Sequence, residues 1–183
     1  MTKRKTKVVL ICEDRQHSKF ATQFLDDMGW RGVKVRVEMS PRGKGSGEYG
    51  ARKKLLEELH AYRALKNKSH HVLIAIIDAD TKTITDIHTI CKNDFKKAGI
   101  DFRKANEAVA IIIPRRNIET WIHYSNGNIV NETTNYKLRT QHGCPQAAAK
   151  LAGYCKTNSL PSDAPASLAA ACEEYNHRIH PNI

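Results

Sequence analysis

The chain has 183 residues, enough for one domain with at most a small appendage, and its apolar content excludes a disordered protein. Thirty Lys and Arg against 19 Asp and Glu give a formal charge of +11. That balance points to a polyanionic partner, nucleic acid first, with a merely solubilising basic surface as the alternative. Five scattered cysteines without a Cys-x-x-Cys pair read as reduced thiols rather than a disulfide framework. The apolar run after the basic start is too short for a signal sequence or a membrane span, so a cytoplasmic protein without membrane contact is expected.

In chain order, Val8 to Cys12 is a short apolar run suited to a strand buried on both faces, and it ends in Glu13 and Asp14. Phe20, Phe24, Leu25 and Met28 follow at helical spacing, closed by Gly29. Val33, Val35 and Val37 alternate with Lys34, Arg36 and Glu38, the period of a strand with one wet face near a sheet edge. Residues 40–50 hold four glycines among Arg42 and Lys44, with Arg52, Lys53 and Lys54 beyond. This stretch reads as a basic loop able to hold a phosphate backbone, or as a charged linker; the Gly-Lys-Ser/Thr of a P-loop is missing. Leu55, Leu56, Leu59, Tyr62 and Leu65 then form one helix face.

Val72 to Ile77 is an uninterrupted apolar run that closes in Asp78-Ala79-Asp80, and the chain is organised around it. Ligands of open α/β sheets sit beyond the carboxyl ends of the strands. Were the backbone to stay extended there, Asp78 and Asp80 would project to one side with Cα atoms about 7 Å apart, fit for Mg²⁺ or Mn²⁺. The other reading is that they cap a helix or open a turn. Thr83 and Asp86 form a capping pair for a helix carrying Ile84, Ile87, Cys91 and Phe95 on one face. Ala108 to Ile113 is a third buried strand, stopped by Pro114; after Arg115 and Arg116 a short helix begins near Asn117 and carries Glu119.

Residues 126–135 read as a loop or irregular hairpin, and Pro145 to Cys155 and Ala164 to Ile179 as two Ala-rich helices. His142, Cys144, Cys155, Cys172, His177 and His180 match no paired zinc spacing, so buried thiols and surface imidazoles are preferred. The expected fold is α/β: a mainly parallel, Rossmann-like four-stranded sheet flanked by helices over residues 1–124, with a helical extension packed on it over 125–183.

Three strands thus hand over to acid at Glu13, at Asp78 with Asp80, and at Glu119; in a parallel sheet these ends share one edge. A Glu closing the first strand and an Asp-x-Asp closing a later one resemble the Toprim fold shared by topoisomerases, primases and a set of nucleases. The Asn117-Ile118-Glu119-Thr120-Trp121 segment is similar to that of RloB-like and OLD-type Toprim nucleases of bacterial defence systems. The resemblance covers about residues 7–124. It departs where Asp14 follows Glu13 in place of the usual Gly, and in the charge of Arg115-Arg116.

The resemblance implies a metal-dependent nuclease cutting DNA or RNA in anti-phage defence. Glu13, Asp78 and Asp80 would hold Mg²⁺ or Mn²⁺, Glu119 would complete a second metal site or orient water, and Lys53, Arg115 and Arg116 would grip phosphate. A topoisomerase would need a DNA-gate region for its tyrosine, and a primase accessory modules, and neither is visible. The alternative is a non-catalytic nucleic-acid-binding or regulatory subunit. OLD-type Toprim domains commonly work with an ATPase; with no Walker motif here, an ATPase of the ABC or AAA type would be a separate partner. Oligomeric state is open.

Overall fold

The computed structural model describes residues 7–40, 47–65, 70–136 and 143–182. Four strands, β1 (Lys7–Cys12), β2 (Lys34–Met39), β3 (His71–Ile76) and β4 (Val109–Ile112), form a parallel sheet in the order β2-β1-β3-β4. Helices α1 (Arg15–Leu25), α2 (Gly47–Leu65) and α3 (Ile84–Lys97) connect successive strands. Three more, α4 (Ile118–Ser125), α5 (Cys144–Thr157) and α6 (Ala166–Arg178), follow β4. The architecture is α/β with helices on both faces, compatible with a Rossmann-like fold. Among the described residues no helix is long and apolar enough to cross a membrane.

Strand alternation splits the core in two. Leu10, Cys12, Ile74, Ile76 and Ile112 face Phe20 of α1, Trp121 of α4, Leu151 of α5 and Leu168 of α6. Ile11, Leu73, Ala75 and Ile111 face Leu55 and Leu59 of α2 and Ile87, Cys91 and Phe95 of α3. Two buried indole N–H groups fix α6 to the first layer: Trp30 Nε1 donates to Tyr175 Oη at 2.7 Å and Trp121 Nε1 to Ser167 Oγ at 2.9 Å.

The local signals hold. Thr83 and Asp86 make a complete capping box at α3, and Asn117 is the residue before α4. The wet strand β2 is an edge. The apolar strand β4 is the other edge, not an inner strand. Its outer rim is covered by side chains in place of a fifth strand: Ile111 N–H donates to Glu174 Oε1 at 3.0 Å, and Arg103 donates to Val109 C=O at 2.8 Å. Arg103 and Glu174 also pair with each other, so β4 is buried without being central.

The cysteines correct the expectation of five reduced thiols. Cys155 of α5 and Cys172 of α6 form a disulfide with Cα atoms 5.2 Å apart, because both helices turn those residues into one core layer. Cys12, Cys91 and Cys144 are free and buried.

Candidate functional site

The site stands at the C-terminal edge of the sheet. β1 hands over to Glu13, whose Oε1 accepts the Asp78 backbone N–H at 2.7 Å. This links the ends of adjacent strands β1 and β3. On the other side, Gly47 at the start of α2 presses against the same carboxylate: a Cβ there would sit 2.5 Å from Glu13 Oε2. Ser40 Oγ donates to Gly47 C=O at 2.9 Å and fixes that approach. Only a residue without a side chain brings the α2 backbone so close.

Asp78 and Asp80 do not lie side by side on an extended chain. Asp80 has φ 53 and is exposed, whereas Asp78 is mostly buried. The ladder between β3 and β4 runs on past both strands: Ile77 N–H donates to Ile112 C=O, Ala79 N–H to Pro114 C=O at 2.9 Å and Asp80 N–H to Arg116 C=O at 3.0 Å. Arg116 is left-handed too, at φ 72. The two loops leave the sheet as a bonded pair, and the β4 loop leads straight into α4 with Glu119.

His17 is a residue the sequence reading missed. It lies in the first turn of α1, is 1% exposed, and its Nε2 stands 3.2 Å from Asp78 Oδ1. Asp14 puts it there: its carboxylate caps α1, accepting the N–H groups of Gln16 at 2.8 Å and His17 at 3.0 Å. Asp14 thus caps the helix, and its charge adds to the field on His17, Asp78 and Glu119. Glu48, also missed, is buried at the start of α2, where it takes Lys82 Nζ at 3.0 Å and pairs with Arg52. A buried charge needs such partners, but neither residue follows an apolar strand, so no pattern marks them in the sequence.

Burial, the Asp78 charge and the Asp80 charge push the Glu13 carboxyl up to about 8, against His17 and the Asp78 N–H. Asp78 is raised by burial first, with His17 opposing. Burial disfavours the His17 imidazolium, yet Asp78, Glu13 and Asp14 outweigh it and carry the group up to about 9. Glu119 is raised by burial and by Asp78. These carboxylates share one electrostatic neighbourhood, in which His17 opposes the rise of Glu13, Asp78 and Glu119.

The expected phosphate-gripping residues are less gathered. Lys53 is exposed on α2, and Arg115 and Arg116 are half-buried at the turn after β4. Arg116 Nε is buried without a hydrogen-bond partner. Arg42 and Lys44 lie outside the described residues. The donor set is all carboxylate oxygen, which fits Mg²⁺ or Mn²⁺ in kind. Among the described residues no three His, Cys, Asp or Glu side chains are already arranged around one cation position. Compared with protein-family models, curated proteins and solved structures, the chain finds no match.

Proposed function

We propose that the protein is a divalent-metal-dependent nuclease of Toprim type that hydrolyses phosphodiester bonds in DNA or RNA. The observation that supports this most is the meeting of Glu13 and Asp78 at adjacent parallel strand ends, with Asp80 and Glu119 within electrostatic reach. Crowding that raises the proton affinity of Glu13 makes a site where a cation can take the place of that proton. Glu13, Asp78 and Asp80 would hold Mg²⁺ or Mn²⁺, which supplies an activated water and a counter-charge for the phosphate in the transition state. Glu119 would orient the water or complete a second metal position. Arg115 and Arg116, on the loop bonded to that of Asp80, would meet non-bridging phosphate oxygens. His17 fixes the Asp78 carboxylate from below. Action in anti-phage defence, with a separate ATPase, follows from the resemblance and belongs to the same proposal.

The test is a Mn²⁺ titration and a DNA and RNA cleavage panel on the wild type and on Asp78→Ala with Asp80→Ala. The proposal expects metal binding and cleavage to disappear together; equal cutting by the double variant would sink it. A second reading, a non-catalytic nucleic-acid-binding subunit, is favoured by one observation: His17 Nε2 already stands 3.2 Å from Asp78 Oδ1, where a cation would otherwise sit. It expects salt-sensitive nucleic-acid binding with no cleavage under either metal.

A further inference from the structure

At the opposite end of the sheet the strand starts place basic residues in one row. Lys7 of β1 is in register with Lys34 of β2 on one side and with His71 of β3 on the other. Register partners in a parallel sheet share a face, so all three side chains stand on the α2 side, as does Arg36 two residues along β2. Neighbouring strands are about 4.8 Å apart, and like charges directly opposite one another destabilise a sheet. The described carboxylates do not relieve the two lysines. Glu58 of α2 borders it, but both its oxygens are taken by Arg36. Neither Lys7 nor Lys34 forms an ion pair among the described residues. A cleft of about 230 Å³ opens between this row and α2, with Val9 and Leu73 as its floor and Tyr62 in its wall.

We propose that this cleft is a second, non-catalytic anion site that takes a phosphate-bearing ligand, with Lys7 and Lys34 as its cationic grip. A phosphate carries about −1.5 to −2 charges and three acceptor oxygens, enough to bridge two adjacent ammonium groups. A carboxylate, with one charge, would leave the row half-compensated. The apolar floor and the Tyr62 ring receive whatever carries the phosphate. The site stands roughly 20 Å along β1 from Glu13, so it does not depend on the nuclease reading. Its phosphate comes either from a free phosphate compound or from the end of a nucleic-acid strand.

Calorimetric titration of pyrophosphate into the full chain, at low salt with a chelator present, tests it. Lys7→Ala with Lys34→Ala is compared with Lys96→Ala with Lys97→Ala, which removes the same charge from exposed positions at the end of α3. The first pair is expected to weaken binding by about tenfold or more, since one charged contact alone is worth about that and two are removed, and the second by less than about twofold. No binding by the wild type, or equal weakening by both pairs, overturns the proposal. A strand of one sequence, with and without a 5′-phosphate, separates the sources. Preference for the phosphorylated strand that vanishes in Lys7→Ala with Lys34→Ala assigns the strand end; equal binding of both strands, with pyrophosphate retained, assigns the free compound.

Discussion

The Asp78 backbone N–H donates to Glu13 Oε1 at 2.7 Å, so the carboxylate at the end of β1 holds the start of the β3 loop. Glu13 has two separable roles, as acceptor and as charge. In Glu13→Gln the amide oxygen still accepts the N–H, and because the Glu13 carboxyl of the metal-free protein keeps its proton up to about 8, metal-free stability near neutral pH is expected to hold. The proposed function adds that any stabilisation by Mn²⁺ should vanish in this variant and cleavage fall more than about 100-fold, since outer partners of metal sites alone are worth 10–100-fold. Glu13→Ala should cost about 1–3 kcal/mol by leaving the N–H unpaired. Thermal melts with and without Mn²⁺ read both effects.

Gly47→Ala should destabilise by about 1–3 kcal/mol, because the new Cβ meets the Glu13 carboxylate. Gly153→Ala, inside α5 with open space around it, should instead stabilise by about 0.5–1 kcal/mol. Urea unfolding of the two variants side by side is the check; equal effects would contradict the close approach of α2.

The acid cluster sets a pH dependence in the metal-free protein. His17 is raised from 6.5 to about 9, so its stabilising pair is complete below about 6.5 and lost as pH rises through 9. Glu13, raised from 4.5 to about 8, keeps a proton that the unfolded chain releases between those values, so it too loses stability as pH rises. The melting midpoint in chelator should therefore fall from about pH 5 to pH 9, and Glu13→Gln should flatten the lower part of that fall. A midpoint that climbs over this range would refute the assignment.

Glu174→Ala removes an acceptor for the Ile111 N–H and the partner of Arg103 on the rim of β4. A loss of about 1–3 kcal/mol is expected, the cost of leaving the Ile111 N–H unpaired, since Arg103 keeps the Val109 C=O. An open strand edge also favours association, so light scattering on warming should rise earlier than in wild type.

Cys155 and Cys172 close a 17-residue separation, for which loop entropy gives about 3 kcal/mol. Thiol titration of the unfolded, unreduced chain should find the three free cysteines, Cys12, Cys91 and Cys144. Reduction should lower the melting temperature.

The parts legible in the sequence were those with a period or a terminator. Val8 to Cys12, Val72 to Ile77 and Ala108 to Ile113 are apolar runs that only a doubly covered strand accommodates, and Thr83 with Asp86 states its cap outright. The site was legible to the extent that strand ends carry acid. His17 and Glu48 were not, because a polar residue on a helix looks the same whether its face meets solvent or a carboxylate. The place of β4 was hidden for a related reason: Arg103 and Glu174 give an edge strand the burial of a central one.

The hydrogen bonds from Ala79 and Asp80 to Pro114 and Arg116 have a mechanical consequence. They splice the loop after β3 to the loop after β4, so that Asp80 and the helix bearing Glu119 ride on a common hinge. A load on either loop passes to the other through two main-chain bonds, so the spacing of the two acids is set by backbone rather than by side-chain rotamers.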